Sequence, residues 1–234
     1  MNDQVQHEFL TRSAEDYLKA IYHLTSGGGP ATTNDLAEAL GLAPASVSGM
    51  LKRLADQELV DHEPYRGVTL SPAGKQIALR MLRRHRLIEA YLVAHLGYSW
   101  DTVHDEAERL EHAVSDTLVE RMAKVLGDPL EDPHGDPIPG PDGSLAEVVY
   151  VPLAELAAGE EAEIRRVNTS QADRLRYMSA AGLVPGTRIT VTAREPFRGP
   201  IRLRLGKREQ VIGHEMAMMV LCTRPATGAV TPAP

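Results

Sequence analysis

The stretch "VHDEAERLEH", residues 103–112, places two imidazoles and four carboxylates in ten positions. Imidazole nitrogen and carboxylate oxygen together suit a divalent cation of intermediate hardness. On a helix each residue turns by about 100°. That turn puts His104, Glu108, Glu111 and His112 on one arc beside an apolar stripe, and sends Asp105 and Glu106 elsewhere. Upstream, His85 and Glu89 stand four residues apart, a spacing that places both on one helix face. Asp16 on the first helical segment adds a further carboxylate. The competing reading of each group alone is a solvated helix face, and for His85 within "RRHRL" a basic surface.

These groups need helices to carry them. Apolar residues at Leu10, Ala14, Tyr17, Leu18, Ile21 and Leu24 predict a first helix, with Ser13 as N-cap and "SGGGP" as its stop. "TTNDLAEALGLAPASVSGMLKRLADQELV" reads as a helix over 33–40, a turn at Gly41 and a second helix over 44–57. Pro44 suits its first turn, where a missing N–H costs nothing. Strand-like pieces at 59–63 and 67–71 follow, so the order is that of a winged helix. A basic helical segment runs from Pro72 to Leu96, and a long helix is expected over 100–126 after Ser99 as N-cap. Its stripe is Val103, Ala107, Leu110, Val114, Leu118 and Met122, long enough to pack against a helix of this chain or of a second copy.

"GDPLEDPHGDPIPGPDG", residues 127–143, is too rich in Pro and Gly for a helix or strand of useful length, and reads as a linker or strap. Beyond it "EVVYVPLAEL", "EAEIRRVN", "TRITVTARE", "IRLRLG", "EQVIG" and "MAMMVLC" read as six short strands, with one helix near 171–181. Arg202 and Arg204 alternate onto the wet face. The fold class is therefore mainly α with a β-rich C-terminal domain. A winged helix-turn-helix (1–74) leads to a helical segment with a Pro-rich linker (75–143), a small SH3-like barrel (144–225) and a tail expected to be disordered (226–234).

In a helix-turn-helix the N-terminal residues of the second helix meet base edges in the major groove. Here these are Ala43, Pro44, Ala45, Ser46 and Ser48, with Lys52 and Arg53 further along, and Tyr65 and Arg66 at the wing for phosphate contacts. Alanine and proline can meet thymine methyls and serine can hydrogen-bond either way. Without an Arg or Asn reader at the helix start, much specificity is left to shape and water. The plain alternative is a structural helical hairpin.

Composition narrows the classes. The net charge of -7 argues against indiscriminate nucleic-acid binding. The single cysteine, Cys222, excludes an internal disulfide and a Cys-rich zinc site, and reads as a buried apolar residue of a late strand. No apolar run reaches the roughly 18 residues of a spanning helix and no signal-like segment opens the chain, so a cytoplasmic protein without membrane attachment is expected. The HExxH spacing and Gly-rich catalytic loop of common enzyme classes are missing, and no enzyme is expected. The rival to a metal-responsive DNA binder is a winged-helix transcription factor that senses an organic ligand.

"AEDYLKAIY", the winged helix, "RRHRLIEAYL", "VHDEAERLEHAVSD" and "GDPIPG" together resemble the diphtheria-toxin-repressor family of metal-dependent bacterial regulators over nearly the whole length. The β-rich end is similar to the SH3-like domain of its longer members, itself related to ferrous-transport accessory proteins. The resemblance implies a homodimeric repressor of metal-homeostasis genes on double-stranded operator DNA, with Mn²⁺, or Fe²⁺, as corepressor. It implies a primary site at Asp16, Glu108, Glu111 and His112 and an ancillary site at His85, Glu89 and His104. Asp16 and Glu108 stand where iron-dependent members have Met and Cys, and hard oxygen in place of soft sulfur favours Mn²⁺. Lys19 stands where short manganese regulators have an acid, which fits the separated two-site layout of longer members. Those members add ligands from the SH3-like domain, for which "RRVNTSQ" offers Asn168 or Gln171. Without metal, Asp16, Glu108 and Glu111 would crowd three negative charges and push the first helix away.

Overall fold

A computed structural model describes residues 10–224 except 64, 65 and 147. Tyr65 of the expected wing contact and the expected disordered tail lie outside the described residues. The described elements are helices and two antiparallel sheets, and the chain divides into two compact units. The first comprises Met1–His85, Glu111–Asp116 and Pro139–Leu145; the second comprises Arg86–Leu110, Thr117–Ile138 and Ala146–Pro234.

In the first unit α1 spans Arg12–Thr25 and buries Ala14, Tyr17, Leu18 and Ile21, one stripe at helical spacing. Its N-cap is Thr11, not Ser13: the Thr11 hydroxyl accepts from the Ala14 amide, and Ser13 lies inside the first turn. Helix α2, Thr33–Leu40, opens with a reciprocal capping box between Thr32 and Asp35 and closes at Gly41 in the left-handed region at φ 65°. Helix α3 then runs over Pro44–Asp56 with Pro44 in its first turn. Strands β1 (Val60–Glu63) and β2 (Gly67–Leu70) pair antiparallel, Val60 opposite Leu70. Their apolar faces join the three helices in one core around Leu18, Ile21, Leu36, Val47, Leu51, Leu54 and Val68. Each such side chain contributes about 1.5–3 kcal/mol on leaving water. That core fixes the angle at which α3 presents its outer face.

Helix α4, Pro72–Leu96, belongs to the first unit through His85 and to the second from Arg86. The single helix expected over 100–126 is instead two, α5 (Val103–Leu110) and α6 (Asp116–Val125), with residues 111–115 between them in turns. The break has a polar cause. The Glu111 carbonyl accepts from Arg84 at 2.9 Å, and Asp116 in the first turn of α6 accepts from Arg80 and from Arg84. The interruption also resets helical phase. Val103 and Ala107 are buried as expected, but α6 buries Val119 and Ala123 and leaves Leu118 exposed.

The rest of the second unit is a six-stranded antiparallel sheet with α7 (Ala172–Ala181) and the short α8 (His214–Met219). Its strands are β3 (Val151–Pro152), β4 (Glu161–Val167), β5 (Arg188–Arg194), β6 (Ile201–Leu205), β7 (Arg208–Ile212) and β8 (Val220–Thr223), in the order β3-β8-β4-β5-β6-β7. Ile201 and Leu203 face its core while Arg202 and Arg204 face water. Two expected strands are shorter than read. Among the described residues of "EVVYVPLAEL" pairing is confined to Val151–Pro152 before a 3-10 turn, and "MAMM" is helical, leaving Val220–Thr223 to carry buried Cys222.

Candidate metal centre and nucleic-acid interface

Within the first unit Asp16, Glu111 and His112 each bring one ligand atom to within 4.8 Å of the others. Asp16 comes from α1, whose buried stripe turns the residue before Tyr17 to the half-exposed side. Glu111 and His112 come from the turn after α5, not from a continuing helix, so their place follows from the break and not from helical phase. Of the expected primary residues, Glu108 belongs to α5 in the second unit, where its Oε1 lies 3.8 Å from His104 Nε2.

His112 is the most informative side chain. Its Nδ1 shares a 2.8 Å hydrogen bond with Glu15, and its buried Nε2 makes none, although Asp16 Oδ1 is 2.9 Å away and Glu111 Oε1 3.3 Å away. A metal-binding imidazole characteristically anchors its second nitrogen on a carboxylate while the first faces the ion. An orphaned buried nitrogen between two carboxylates therefore fits a divalent cation, with one nitrogen and two oxygens as donors. Glu15, the neighbour of Asp16, is not among the expected ligands, and its place is behind the donor set on the other imidazole nitrogen.

Glu111 is fully buried, with Lys19 Nζ at 2.6 Å from Oε1 and His85 Nδ1 at 2.6 Å from Oε2. Burial alone would raise its carboxyl, but His85 and the Lys19 ammonium outweigh that and hold it below the ordinary carboxylate range. This corrects the expected picture of uncompensated repulsion. Lys19, on the same helix as Asp16, supplies an internal positive charge to Glu111. His85, expected with Glu89 and His104, here engages Glu111.

In the second unit Glu89 is buried on α4, its Oε1 3.1 Å from His104 Nδ1 and its Oε2 3.7 Å from His134 Nδ1. Asp132 and His134, both buried, come from the Pro-rich strap and were not singled out in the sequence. Burial, then the charges of Asp136 and Glu89, push the Asp132 carboxyl up to about 7. Burial would lower His134, but Glu89, Asp132 and the Trp100 carbonyl push it up to about 9. Asn168 lines a cavity of the second unit with Arg194, His214 and Met218, and Gln171 caps the start of α7.

At the expected DNA interface Ala43, Pro44, Ala45, Ser46, Ser48, Lys52 and Arg53 are all exposed, while Val47, Met50, Leu51 and Leu54 of the same helix are buried. The helix thus presents small residues at its N-terminal end and two cations one to two turns on. Ser48 spends its hydroxyl on the Pro44 carbonyl at 3.1 Å. Arg66 is exposed and pairs with Glu63 at 3.1 Å across the wing hairpin.

Comparison with known proteins places these features in context. Residues 9–68 match the model of the iron dependent repressor N-terminal DNA binding domain. Residues 71–140 match that of the iron dependent repressor metal binding and dimerisation domain, and residues 151–224 match the FeoA domain. The iron-dependent repressor IdeR of Mycobacterium leprae is 33% identical over 223 residues, covering 90% of this chain and 96% of its own. The diphtheria toxin repressor of Corynebacterium jeikeium is 36% identical over 147 residues, 63% of this chain and 61% of its own. Among solved structures, a manganese-dependent transcriptional repressor in complex with manganese shares 39% identity at a TM-score of 0.85, covering 91% of this chain and all of that one.

Proposed function

We propose, from the premise that this chain belongs to the family of metal-dependent transcriptional repressors that includes IdeR and the diphtheria toxin repressor, that Mn²⁺, or Fe²⁺, is its corepressor at Asp16, Glu111 and His112. The protein is a repressor with a DNA-binding domain and not an enzyme. No described helix is long and apolar enough to cross a membrane. The observation that carries the metal assignment is the buried His112 Nε2, aimed at two carboxylates and hydrogen-bonded to neither.

A divalent ion, when bound, supplies the positive charge that joins Asp16 to Glu111 and His112. The chain's own residues decide what that does. Asp16 rides on α1, which packs in the core that positions α3. Glu111 and His112 lie in the turn between α5 and α6. Fixing α1 to that turn sets α3 for the major groove, where Ala43–Ser48 meet bases while Lys52, Arg53 and Arg66 meet phosphates. In a homodimer on double-stranded operator DNA the two α3 helices must match half-site spacing, so the same tether selects binding-competent dimers. Glu89 and His104, with Glu108 beside His104, are the second ligand group of this reading within the second unit. The functional division is residues 1–74 for DNA, 75–143 for metal and dimerisation, and 144–225 as the SH3-like domain.

Linkage makes the effect reciprocal: DNA raises metal affinity by the factor by which metal raises DNA affinity. The test is fluorescence anisotropy on a duplex selected from a random pool with Mn²⁺ present. Binding should require Mn²⁺ or Fe²⁺ and reverse on chelation. Equal affinity in excess chelator would overturn the reading and favour an organic effector.

A further inference from the structure

Helix α1 reaches the 111–112 turn with two side chains besides Asp16. Glu15 and Lys19 stand four residues apart, hence on one face of α1. Glu15 Oε2 lies 2.8 Å from His112 Nδ1, and Lys19 Nζ lies 2.6 Å from Glu111 Oε1. The lysine contact falls on an oxygen that an ion would need. The Glu15 contact falls on the ring nitrogen that an ion at Nε2 leaves unused. Resting on the corepressor reading above, we propose that Glu15 is the positioning residue of the Asp16, Glu111 and His112 centre. From α1 it fixes the His112 ring, so that docking of α1 and the aim of Nε2 become one event.

The chemistry of the contact gives it a direction. An ionised carboxylate only accepts hydrogen bonds, so the 2.8 Å bond puts a ring proton on Nδ1 and donates it to Glu15. In the neutral imidazole Nε2 then carries the lone pair. That atom lies 2.9 Å from Asp16 Oδ1 and 3.3 Å from Glu111 Oε1 and hydrogen-bonds to neither. A carboxylate behind an imidazole also makes it a stronger metal donor. The bond is sheltered, with the His112 side chain 8% exposed and that of Glu15 20%. Successive residues of a helix diverge by about 100°, which lets Glu15 and Asp16 straddle the ring, one at each nitrogen. Lifting α1 from the turn therefore removes one ligand and releases the aim of another together. By linkage, docking of α1 responds to the ion as steeply as the ion responds to docking. The turn has its own hold, Arg84 on the Glu111 carbonyl at 2.9 Å, so losing Glu15 frees the ring and not the turn.

Glu15→Ala and Glu15→Gln in the full chain separate this role from a structural one. By isothermal titration, Mn²⁺ affinity should fall at least about tenfold in Glu15→Ala. Glutamine still offers an oxygen to the Nδ1 proton, and a neutral acceptor holds about half as strongly. It should therefore rescue part of the loss, leaving affinity about 3- to 10-fold down. Stoichiometry should not change, because Glu15 is not a ligand. Long-range proton–nitrogen NMR of the His112 ring, in chelator and at a pH that leaves the ring neutral, reads its orientation without any ion. The proton should sit on Nδ1 in the wild type and in Glu15→Gln, and move toward Nε2, facing Asp16, in Glu15→Ala. A smaller fall than tenfold in folded Glu15→Ala, or a wild-type proton on Nε2, would overturn the role. If Glu15→Ala does not fold, wild-type affinity in Glu15→Gln overturns it. Mn²⁺ binding that is absent from the wild type, or that His112→Gln leaves unchanged, would overturn the corepressor site itself and this role with it.

Discussion

With Glu111 as a ligand in the proposed centre, Lys19 becomes an internal competitor for the cation, and removing it should tighten metal binding. Its ammonium lies 2.6 Å from Glu111 Oε1, with the lysine side chain 12% exposed and the glutamate fully buried. At that distance the gross attraction is about 6 kcal/mol for an effective dielectric near 20. Desolvation of both groups offsets most of it, leaving about 1.5–3 kcal/mol, the usual net range for a charged hydrogen bond. A cation taking Glu111 must displace or coexist with that ammonium, and both costs have the same sign. At 1.4 kcal/mol per tenfold, Lys19→Met should strengthen Mn²⁺ binding by roughly 10- to 100-fold. Methionine keeps the unbranched stem, so packing is nearly conserved. The metal-free variant should at the same time lose stability of the same order, because Glu111 keeps His85 but loses one charged partner. Isothermal titration with Mn²⁺ gives the first quantity and urea unfolding in chelator gives the second. An affinity within twofold of the wild type, or weaker, would refute the competitor role.

Other consequences are independent of that one. Lys52→Ala on the exposed face of α3 should weaken binding to all duplexes alike and lower the slope of log affinity against log salt by about one; an unchanged slope would remove Lys52 from the phosphate contacts. A β-carbon on Gly135, at φ 84°, would lie 1.8 Å from the Arg165 carbonyl oxygen. Gly135→Ala should therefore raise hydrogen exchange across the strap, and unchanged protection would contradict its close approach to β4. Burial pushes the Cys222 thiol up to about 12, so thiolate is scarce at pH 8. Alkylation should be slow in the folded protein and fast after unfolding, and equal rates would show that β8 opens readily.

Much of this was legible from residue order because it rests on local rules. Thr33–Leu40 and Pro44 followed from a helix stop at Gly41 and a proline suited to a first turn, and the alternation of "IRLRL" declared its wet face. The break at 111–115 was not legible. A continuous apolar stripe ran through it, and the Arg80 and Arg84 contacts that stabilise it come from another helix. The candidate centre divides in the same way. Asp16, Glu111 and His112 are recognisable as donor types, whereas Glu15, which orients His112, and Lys19, which neutralises Glu111, act through tertiary contacts 97 and 92 residues away. Asp132 and His134 were hidden by the Pro/Gly texture around them, which signals the absence of regular structure and nothing about burial.

Control of DNA binding by an ion at the proposed Asp16, Glu111 and His112 centre can be read from Mn²⁺ titrations of the wild type and His112→Gln on one selected duplex at fixed ionic strength. The wild type should bind in Mn²⁺ and release in chelator, while His112→Gln, folded by circular dichroism, should need at least about 100-fold more Mn²⁺ or fail to bind. Identical Mn²⁺ dependence of the two proteins would contradict the account.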